Sequence, residues 1–83
     1  MYQVFIEKKV QKQLEKIPEP DFSRIKSLIL DLSTDPRPSG CKKLKGRPGY
    51  RIRQGDYRII YNVFDHKLVV LVIAAGHHKD IYV

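Results

Sequence analysis

The sequence lacks the residues that mark several common classes of protein. Cys41 is its only cysteine, so an internal disulfide and a cysteine-rich zinc site are both excluded, and with them a disulfide-stapled secreted mini-protein. The longest apolar run, Leu68 to Ala75, is far shorter than the roughly twenty residues that span a bilayer. Met1 to Ile6 is too short for the hydrophobic region of a signal peptide. We therefore expect a cytoplasmic protein.

The length and composition indicate one small globular domain. The chain has 83 residues, of which 42% are hydrophobic and 30% are charged. These fractions are typical of globular chains rather than of disordered or fibrous ones. Two independent domains would need more chain, so we expect a single domain over residues 1–83.

Positive charge is in excess and is unevenly distributed. The formal net charge is +7, from 16 Lys and Arg against 9 Asp and Glu, which suggests an anionic partner: nucleic acid, an acidic protein or an acidic membrane. The segment 42–58 carries most of the excess. It is either a solvated face or an anion-binding surface, and its four arginines favour the second because guanidinium forks suit phosphate. The basic residues of this segment are Lys42, Lys43, Lys45, Arg47, Arg51, Arg53 and Arg58.

The first half of the chain changes from a strand pattern to a helix pattern. Residues 2–6 are rich in aromatic and β-branched side chains and predict a short strand. Val10, Leu14 and Ile17 then recur at helical spacing, which predicts an amphipathic helix ended by Pro18. The apolar stripe of a second helix comprises Phe22, Ile25, Leu28, Ile29 and Leu32.

The second half predicts an antiparallel sheet. The breaker segment 35–40 is too short for a domain linker, so we interpret it as a loop that crosses from the helices to the sheet. Turn residues then separate strand-like runs, which indicates consecutive hairpins. We therefore expect an α+β fold: an N-terminal strand, a helical hairpin and an antiparallel β-meander, with the helices packed on one sheet face. The predicted strands of the meander are 50–53, 57–64 and 68–75.

Three arginines fall on these strands. Alternation directs Ile52 to the core, and Arg51 and Arg53 to the uncovered face of the sheet. Arg58 joins them if Arg53 pairs with Arg58 across a four-residue loop, and it faces the other side if Arg53 pairs with Tyr57. Burying an unpaired arginine under the helices is costly, so the four-residue loop is predicted.

A polar segment follows the last predicted strand and supplies His77, His78 and Tyr82. Guanidiniums can hold a phosphodiester, histidine exchanges protons near neutral pH, and tyrosine can stack on a base or transfer a proton. These residue types could support RNA cleavage without a metal, with the RNA 2′-OH as nucleophile. The plainer interpretation is exposed strand arginines, polar turn histidines and a tyrosine at the edge of the core. The histidines lack a suitably spaced carboxylate, so we expect neither a metal nor a cofactor.

Longer motifs connect the chain to a known family. GDYRIIY (55–61) and GHHKDIY (76–82) flank an apolar strand, and KLKG (43–46) and GYRIR (49–53) precede them. In these blocks the sequence resembles the RelE/ParE superfamily of type II toxins, and within it the RelE branch. The resemblance implies a RelE-like fold whose open face binds messenger RNA in the ribosomal A site and cleaves it. It also implies neutralisation by a cognate antitoxin with an acidic segment, in a toxin–antitoxin hetero-oligomer.

The resemblance also assigns roles to individual residues. Arg51 and Arg53 match two basic residues that hold the phosphate, often lysines in the family, and Arg58 matches a third. The position of the proton donor, where the family has arginine, falls at His78, and the neighbouring His77 and Lys79 are the alternatives. Tyr82 matches a tyrosine that stacks on the nucleotide or transfers a proton. Further residues expected to bind RNA are Lys42, Lys43, Lys45, Arg47, His77 and Lys79.

Two other functions fit the same fold. One is a non-catalytic module that binds RNA or the ribosome, and the other is a ParE-like inhibitor of DNA gyrase. Fold alone does not separate these from a ribonuclease. The combination of arginines, histidine and tyrosine favours the ribonuclease, since a gyrase inhibitor has no need of it.

Overall fold

Two helices and a sheet of five strands make up residues 1–81, the part of the chain that the computed structural model describes. The predicted α+β fold, with a helical hairpin between the first strand and an antiparallel meander, is confirmed. The elements in chain order are β1 (Gln3–Ile6), α1 (Lys8–Glu15), α2 (Asp21–Asp31), β2 (Lys42–Lys43), β3 (Tyr50–Gln54), β4 (Tyr57–Phe64) and β5 (Val69–His77).

The helices form where the apolar spacing predicts them. Helix α1 buries Val10 and Leu14, one helical turn apart on one face. At the start of α2 the carboxylate of Glu19 accepts hydrogen bonds from the backbone N–H of Ser23 at 2.9 Å and from its hydroxyl at 2.7 Å. The first N–H groups of a helix have no partner within the helix, so this contact satisfies one of them. No helix of residues 1–81 is both long enough and apolar enough to cross a bilayer.

The sheet has the order β1-β5-β4-β3-β2, in which β1 pairs in parallel with β5 and the other neighbours are antiparallel. The short strand β2 was not predicted, nor was the partner of β1. The predicted four-residue loop is confirmed, because Arg53 pairs with Arg58. Strand β5 runs two residues beyond its predicted end, since Gly76 and His77 still pair with Arg58 and Tyr57.

The main core lies between the helices and one face of the sheet. Ile25 and Ile29 of α2 pack there with Val70 and Val72 of β5, and all four are almost fully buried. Burying such a side chain contributes about 1.5–3 kcal/mol each. The opposite face of the sheet carries no helix within the described residues, and we call it the open face. A smaller apolar cluster lies on it: Leu44, Ile60 and Ile81, with Ile73 and Ala74 at its margin.

A polar cluster closes the end of the sheet away from the β3–β4 turn. The guanidinium of Arg37 donates hydrogen bonds to both oxygens of Asp65, at 3.1 and 2.8 Å, and to the Tyr50 hydroxyl at 2.9 Å. Its Cζ lies 5.2 Å from the centre of the Tyr50 ring, and the Tyr2 hydroxyl donates to Asp65 at 2.7 Å. We call these four side chains the Arg37 clasp. The hydrogen bonds from Arg37 and Tyr2 lower the pKa of Asp65 to about 2.

The clasp is joined to the core through Tyr61. This side chain is fully buried, and its ring stacks on that of Tyr50 with the centroids 5.8 Å apart. Its hydroxyl donates to the carbonyl of Pro36 at 2.8 Å, so the polar tip has a partner inside the protein. Burial raises the pKa of Tyr61. The loop that leads from α2 to β2 is therefore fixed both to the core and to the surface clasp.

Candidate functional site

The three strand arginines lie on the open face near the β3–β4 turn. Arg53 and Arg58 are cross-strand partners, and Arg51 lies two residues before Arg53 on the same side of β3. All three line one cleft of about 370 Å³ at the edge of the sheet. The structure thus brings together the three predicted phosphate-binding residues. The rest of the cleft is lined by Leu28, Ser39, Gly40, Lys42 and Ile52.

Arg58 has an incomplete set of hydrogen bonds. Its side chain is half-buried, and Nη1 donates to the backbone carbonyl of Ile81 at 3.1 Å. Its Nε is buried and has no partner among the described residues. A buried donor without a partner costs about 1–3 kcal/mol, and more when the group is charged. A guanidinium in this state gains from an added acceptor, and an anion is the acceptor that suits it best.

The other two arginines also have no acidic partner in the described part of the chain. Within residues 1–81 no carboxylate lies within 4.0 Å of a guanidinium nitrogen of Arg51 or Arg53. Arg51 is half-buried and Arg53 is exposed. Three cations therefore share a cleft to which the described residues supply no neutralising acid, and this raises the local positive potential. The arrangement can hold a phosphate group and stabilise negative charge that develops on it.

The two histidines have different surroundings. His77 is the last residue of β5 and lies opposite Tyr57, whose ring it meets edge-on at 5.8 Å between centroids. Tyr57 packs against the helix-side core, so His77 points towards that side of the sheet. The Nδ1 atom of His77 accepts a hydrogen bond from the backbone N–H of Lys79 at 3.2 Å. The Nδ1 atom and the ring of His77 are therefore both engaged in contacts within the protein.

His78 follows the strand and is close enough to Arg53 to be affected by its charge, although it does not line the cleft of the three arginines. Its backbone N–H donates to the carbonyl of Asp56 in the β3–β4 turn at 2.9 Å, and its ring stacks on that of His77 at 4.5 Å. Burial lowers the pKa of His78, and the positive charges of His77 and Arg53 lower it further. The unprotonated ring is thereby favoured in the free protein.

The remaining predicted residues spread over adjoining surface. Lys42, Lys43, Lys45 and Arg51 line a second cleft of about 430 Å³, which adjoins the first. Arg47 lies in a third cleft of about 620 Å³ towards the other end of the sheet. Four of the predicted basic residues are half-buried: Arg51, Arg58, His77 and His78. The others, including Lys79, are exposed. The predicted role of Tyr82 concerns a residue outside those that the structure describes.

Sequence reasoning missed the backbone partners of the site. The carbonyl of Asp56 accepts a hydrogen bond from His78, and that of Ile81 accepts one from Arg58. Because every residue has a backbone carbonyl, the residue type gives no indication of this role. It also missed Asn62, whose Oδ1 is buried with no partner among residues 1–81. A Cβ added to Gly49 would lie 2.5 Å from that Oδ1. The glycine in the GYRIR block gives a signal of this close approach, but not of its partner.

Comparison with known proteins places the chain beside bacterial and archaeal toxins. Residues 4–82 match the family described as ParE toxin of type II toxin-antitoxin system, parDE. A putative toxin RelE1 of Methanocaldococcus jannaschii is 35% identical over 75 residues, which cover 84% of this chain and 83% of the relative. The mRNA interferase toxin RelE of Escherichia coli is 28% identical over 81 residues, covering 94% of this chain and 84% of the relative.

The fold also matches solved structures. The archaeal RelE–RelB complex from Pyrococcus horikoshii contains a chain that superposes with a TM-score of 0.84 at 30% sequence identity, covering 96% of this chain and 98% of that one. The similarity extends over both helices and the whole sheet, since it includes almost every residue of the two chains.

Proposed function

The chain belongs to the ParE toxin family of type II toxin–antitoxin systems, and from this premise we propose that it is a RelE-type endoribonuclease. It cleaves messenger RNA in the ribosomal A site and so inhibits translation. A relative that covers most of the chain is named an mRNA interferase toxin. The observation that carries the proposal is a cleft lined by three arginines that have no acidic partner among residues 1–81, where the buried Nε of Arg58 also has no acceptor.

The proposed reaction uses the RNA as its own nucleophile. The 2′-oxygen attacks the adjacent phosphorus, its proton leaves to a base, and the bond to the 5′-oxygen breaks. The products are a 2′,3′-cyclic phosphate and a 5′-hydroxyl, which takes up one proton. Arg51, Arg53 and Arg58 stabilise the negative charge on the phosphoryl oxygens. An arginine side chain keeps its proton, so these three act through charge and not as bases.

His78 is the proposed donor of the proton to the 5′-oxygen. Its lowered pKa disfavours the protonated ring in the free protein. A phosphodiester bound beside it brings negative charge, which raises the pKa and favours the protonated form that a general acid needs. His77 is the weaker candidate because its Nδ1 is already bonded to Lys79. The roles of Tyr82, stacking on a base or transferring a proton, stay predictions.

Five exposed basic residues, together with the half-buried His77, are proposed to bind RNA without sequence preference. Contacts of lysine and arginine with phosphates release counterions, so binding should weaken steeply with salt. Each exposed lysine then contributes to the salt dependence rather than to the choice of cleavage site. The residues concerned are Lys42, Lys43, Lys45, Arg47, His77 and Lys79.

The proposed partners are a cognate antitoxin, the ribosome and messenger RNA. Structural neighbours of this chain include RelE bound to RelB. An antitoxin with an acidic segment would complement the surplus of positive charge in the second half of the chain. We place the protein in the cytoplasm, where ribosomes translate, and propose that it forms a hetero-oligomer with its antitoxin.

The test is cleavage of a defined mRNA by the purified protein, with and without programmed ribosomes, after the protein alone has been treated with excess chelator and separated from it. Cleavage that requires ribosomes and withstands the chelator is expected. Loss of cleavage by the chelator-treated protein would contradict the proposed independence from metal. Intact RNA under every condition would contradict the endoribonuclease, leaving a binding module or a ParE-like gyrase inhibitor, and a supercoiling assay separates those two.

A further inference from the structure

The described chain folds back onto the open face after β5. The backbone N–H of Asp80 donates to the carbonyl of His77 at 2.8 Å, which closes a turn. The N–H of His78 is held at the same time by the carbonyl of Asp56 at 2.9 Å. The turn brings Ile81 back over the sheet, where only 9% of its surface is exposed. Ile81 is therefore buried, although the residues just before it, Lys79 and Asp80, are polar and exposed.

The side chain of Ile81 fits a place that Gly76 leaves open. It packs with Leu44 and Ile60 in the small apolar cluster of the open face. A Cβ added to Gly76 would lie 3.3 Å from both Cγ1 and Cδ1 of Ile81, a distance at which the neighbour has to move. Gly76 lies in a strand and its φ is not positive, so space and not backbone freedom is the reason for a glycine here.

The buried side chain fixes the backbone carbonyl of the same residue. That carbonyl accepts the hydrogen bond from Nη1 of Arg58 at 3.1 Å. A guanidinium is planar, so fixing one nitrogen limits the directions in which the others point. The Nε of Arg58 is a buried donor without a partner in the described part of the chain. The position of the Ile81 carbonyl therefore constrains the direction in which the Nε–H of Arg58 points.

We infer that Ile81 is a positioning residue for the cleavage reaction: its buried side chain anchors a carbonyl that holds the guanidinium of Arg58 in place for the phosphate. This inference rests on the proposed ribonuclease function. It predicts that the size of the side chain at position 81 matters, although that side chain itself carries no chemistry. It also predicts that Ile81 has no effect on cleavage once the guanidinium of Arg58 is gone.

The activity test compares Ile81→Ala with Ile81→Val in ribosome-dependent cleavage of a defined mRNA. Ile81→Ala should lower kcat about tenfold with a smaller change in KM, and Ile81→Val should restore most of it. Gly76→Ala should act like Ile81→Ala, because it displaces Ile81 from the other side. Leu30→Ala is the matched control, since Leu30 is an apolar residue of α2 that is 58% exposed.

A double-mutant cycle assigns the effect to Arg58. In an Arg58→Lys background, Ile81→Ala should change kcat less than twofold. An equal loss in both backgrounds would overturn the inference. So would a rise in kcat of the Ile81→Ala variant, because the carbonyl would then compete with the phosphate instead of orienting the guanidinium.

A readout that does not depend on activity separates this inference from the proposed function. The Nε–H signal of Arg58 in a nitrogen–proton NMR spectrum can be assigned by its loss in Arg58→Lys. In Ile81→Ala it should shift and exchange faster with water, while the core signals stay in place. An unchanged signal would refute the positioning role. A wild-type protein that cleaves no RNA would refute the ribonuclease, and the NMR result would still decide whether Ile81 holds Arg58.

Discussion

Arg37 and Arg58 lie towards opposite ends of the same sheet and differ in their partners. Arg37 has a carboxylate, a hydroxyl and an aromatic ring around its guanidinium, although much of its side chain is exposed. Arg58 is more deeply placed, yet it has one backbone carbonyl and a buried Nε without a described partner. Each guanidinium nitrogen of Arg37 has an acceptor within the described residues. For Arg58, we propose that a bound anion supplies the acceptor that Nε lacks there.

The hydrogen-bond partners of an arginine distinguish one that stabilises the fold from one that is available to a ligand. Counting charges along the chain does not separate them, since the net charge says nothing about which guanidiniums are paired. The pairing state within the fold does. On this basis we expect substitutions near Arg58 to alter activity with little effect on folding, and substitutions in the Arg37 clasp to do the reverse.

The largest effect is expected from Arg58→Ala. Removing a preorganised donor that stabilises charge in the transition state lowers kcat by about 100- to 1,000-fold. Ribosome-dependent cleavage of a defined mRNA gives the rate, and thermal unfolding followed by circular dichroism checks the fold. Lys67→Ala is the matched control, because it removes one positive charge from the β4–β5 turn. A folded Arg58→Ala protein with normal activity would contradict the assignment of this end of the sheet.

The next effect concerns the pH profile of cleavage. If protonated His78 gives its proton to the leaving oxygen, the rate falls as the pH rises above the pKa of His78 in the complex with RNA. His78→Gln should lower the rate about 100-fold and flatten this limb of the profile. His77→Gln is the control and should keep the limb. A profile that His77→Gln flattens and His78→Gln leaves unchanged would exchange the two roles.

A smaller effect, on stability and not on cleavage, is expected from Arg37→Ala. The exposed ion pair with Asp65 contributes modestly, and the bond to Tyr50 adds to it. The melting temperature should fall by a few degrees, with cleavage by the folded protein unchanged at 25 °C. Lys67→Ala again serves as the control for loss of charge. A large loss of cleavage with an unchanged melting temperature would abolish the distinction between the two arginines.

The smallest effect is a dependence of stability on acid. The clasp lowers the pKa of Asp65 from its ordinary value of 3.8 to about 2. A carboxyl group whose pKa is lowered by folding stabilises the protein fully above its unfolded value, and this contribution is lost as the pH falls towards the folded value. Denaturant unfolding of wild type and Asp65→Asn should therefore converge between about pH 4 and pH 2. A difference that stays constant over this range would show that the clasp does not depend on the charge of Asp65.

Local rules predicted the open face well. The alternation of Arg51, Ile52 and Arg53, with the cost of burying an arginine, was enough to predict the register that pairs Arg53 with Arg58. Turn residues and helical spacing located the hairpins and both helices in the same way. These features depend on neighbours that are close in sequence, so the sequence alone contains the necessary information.

Features that depend on distant partners could not be predicted in this way. Arg37 lies in a segment that reads only as a loop, and its partners are 13 and 28 residues away. The carbonyl of Ile81 meets Arg58 across 23 residues. The parallel pairing of β1 with β5 joins Gln3 to Val69. Such contacts follow from the packing of the whole sheet, and no local pattern of residue types specifies them.

The pairing of β1 with β5 also determines when the sheet can be completed during synthesis of the chain. A nascent chain that has made β1 must leave that strand without its partner until β5 has been synthesised, and contacts so far apart in sequence form slowly. The same late stretch contains Gly76, His78 and, just beyond, Ile81. The last segment of the described chain, from β5 to Ile81, therefore supplies both the partner of β1 and the last residues of the proposed site. A nascent chain that ends before β5 therefore lacks both the partner of β1 and the residues that we propose to donate the proton and to orient Arg58.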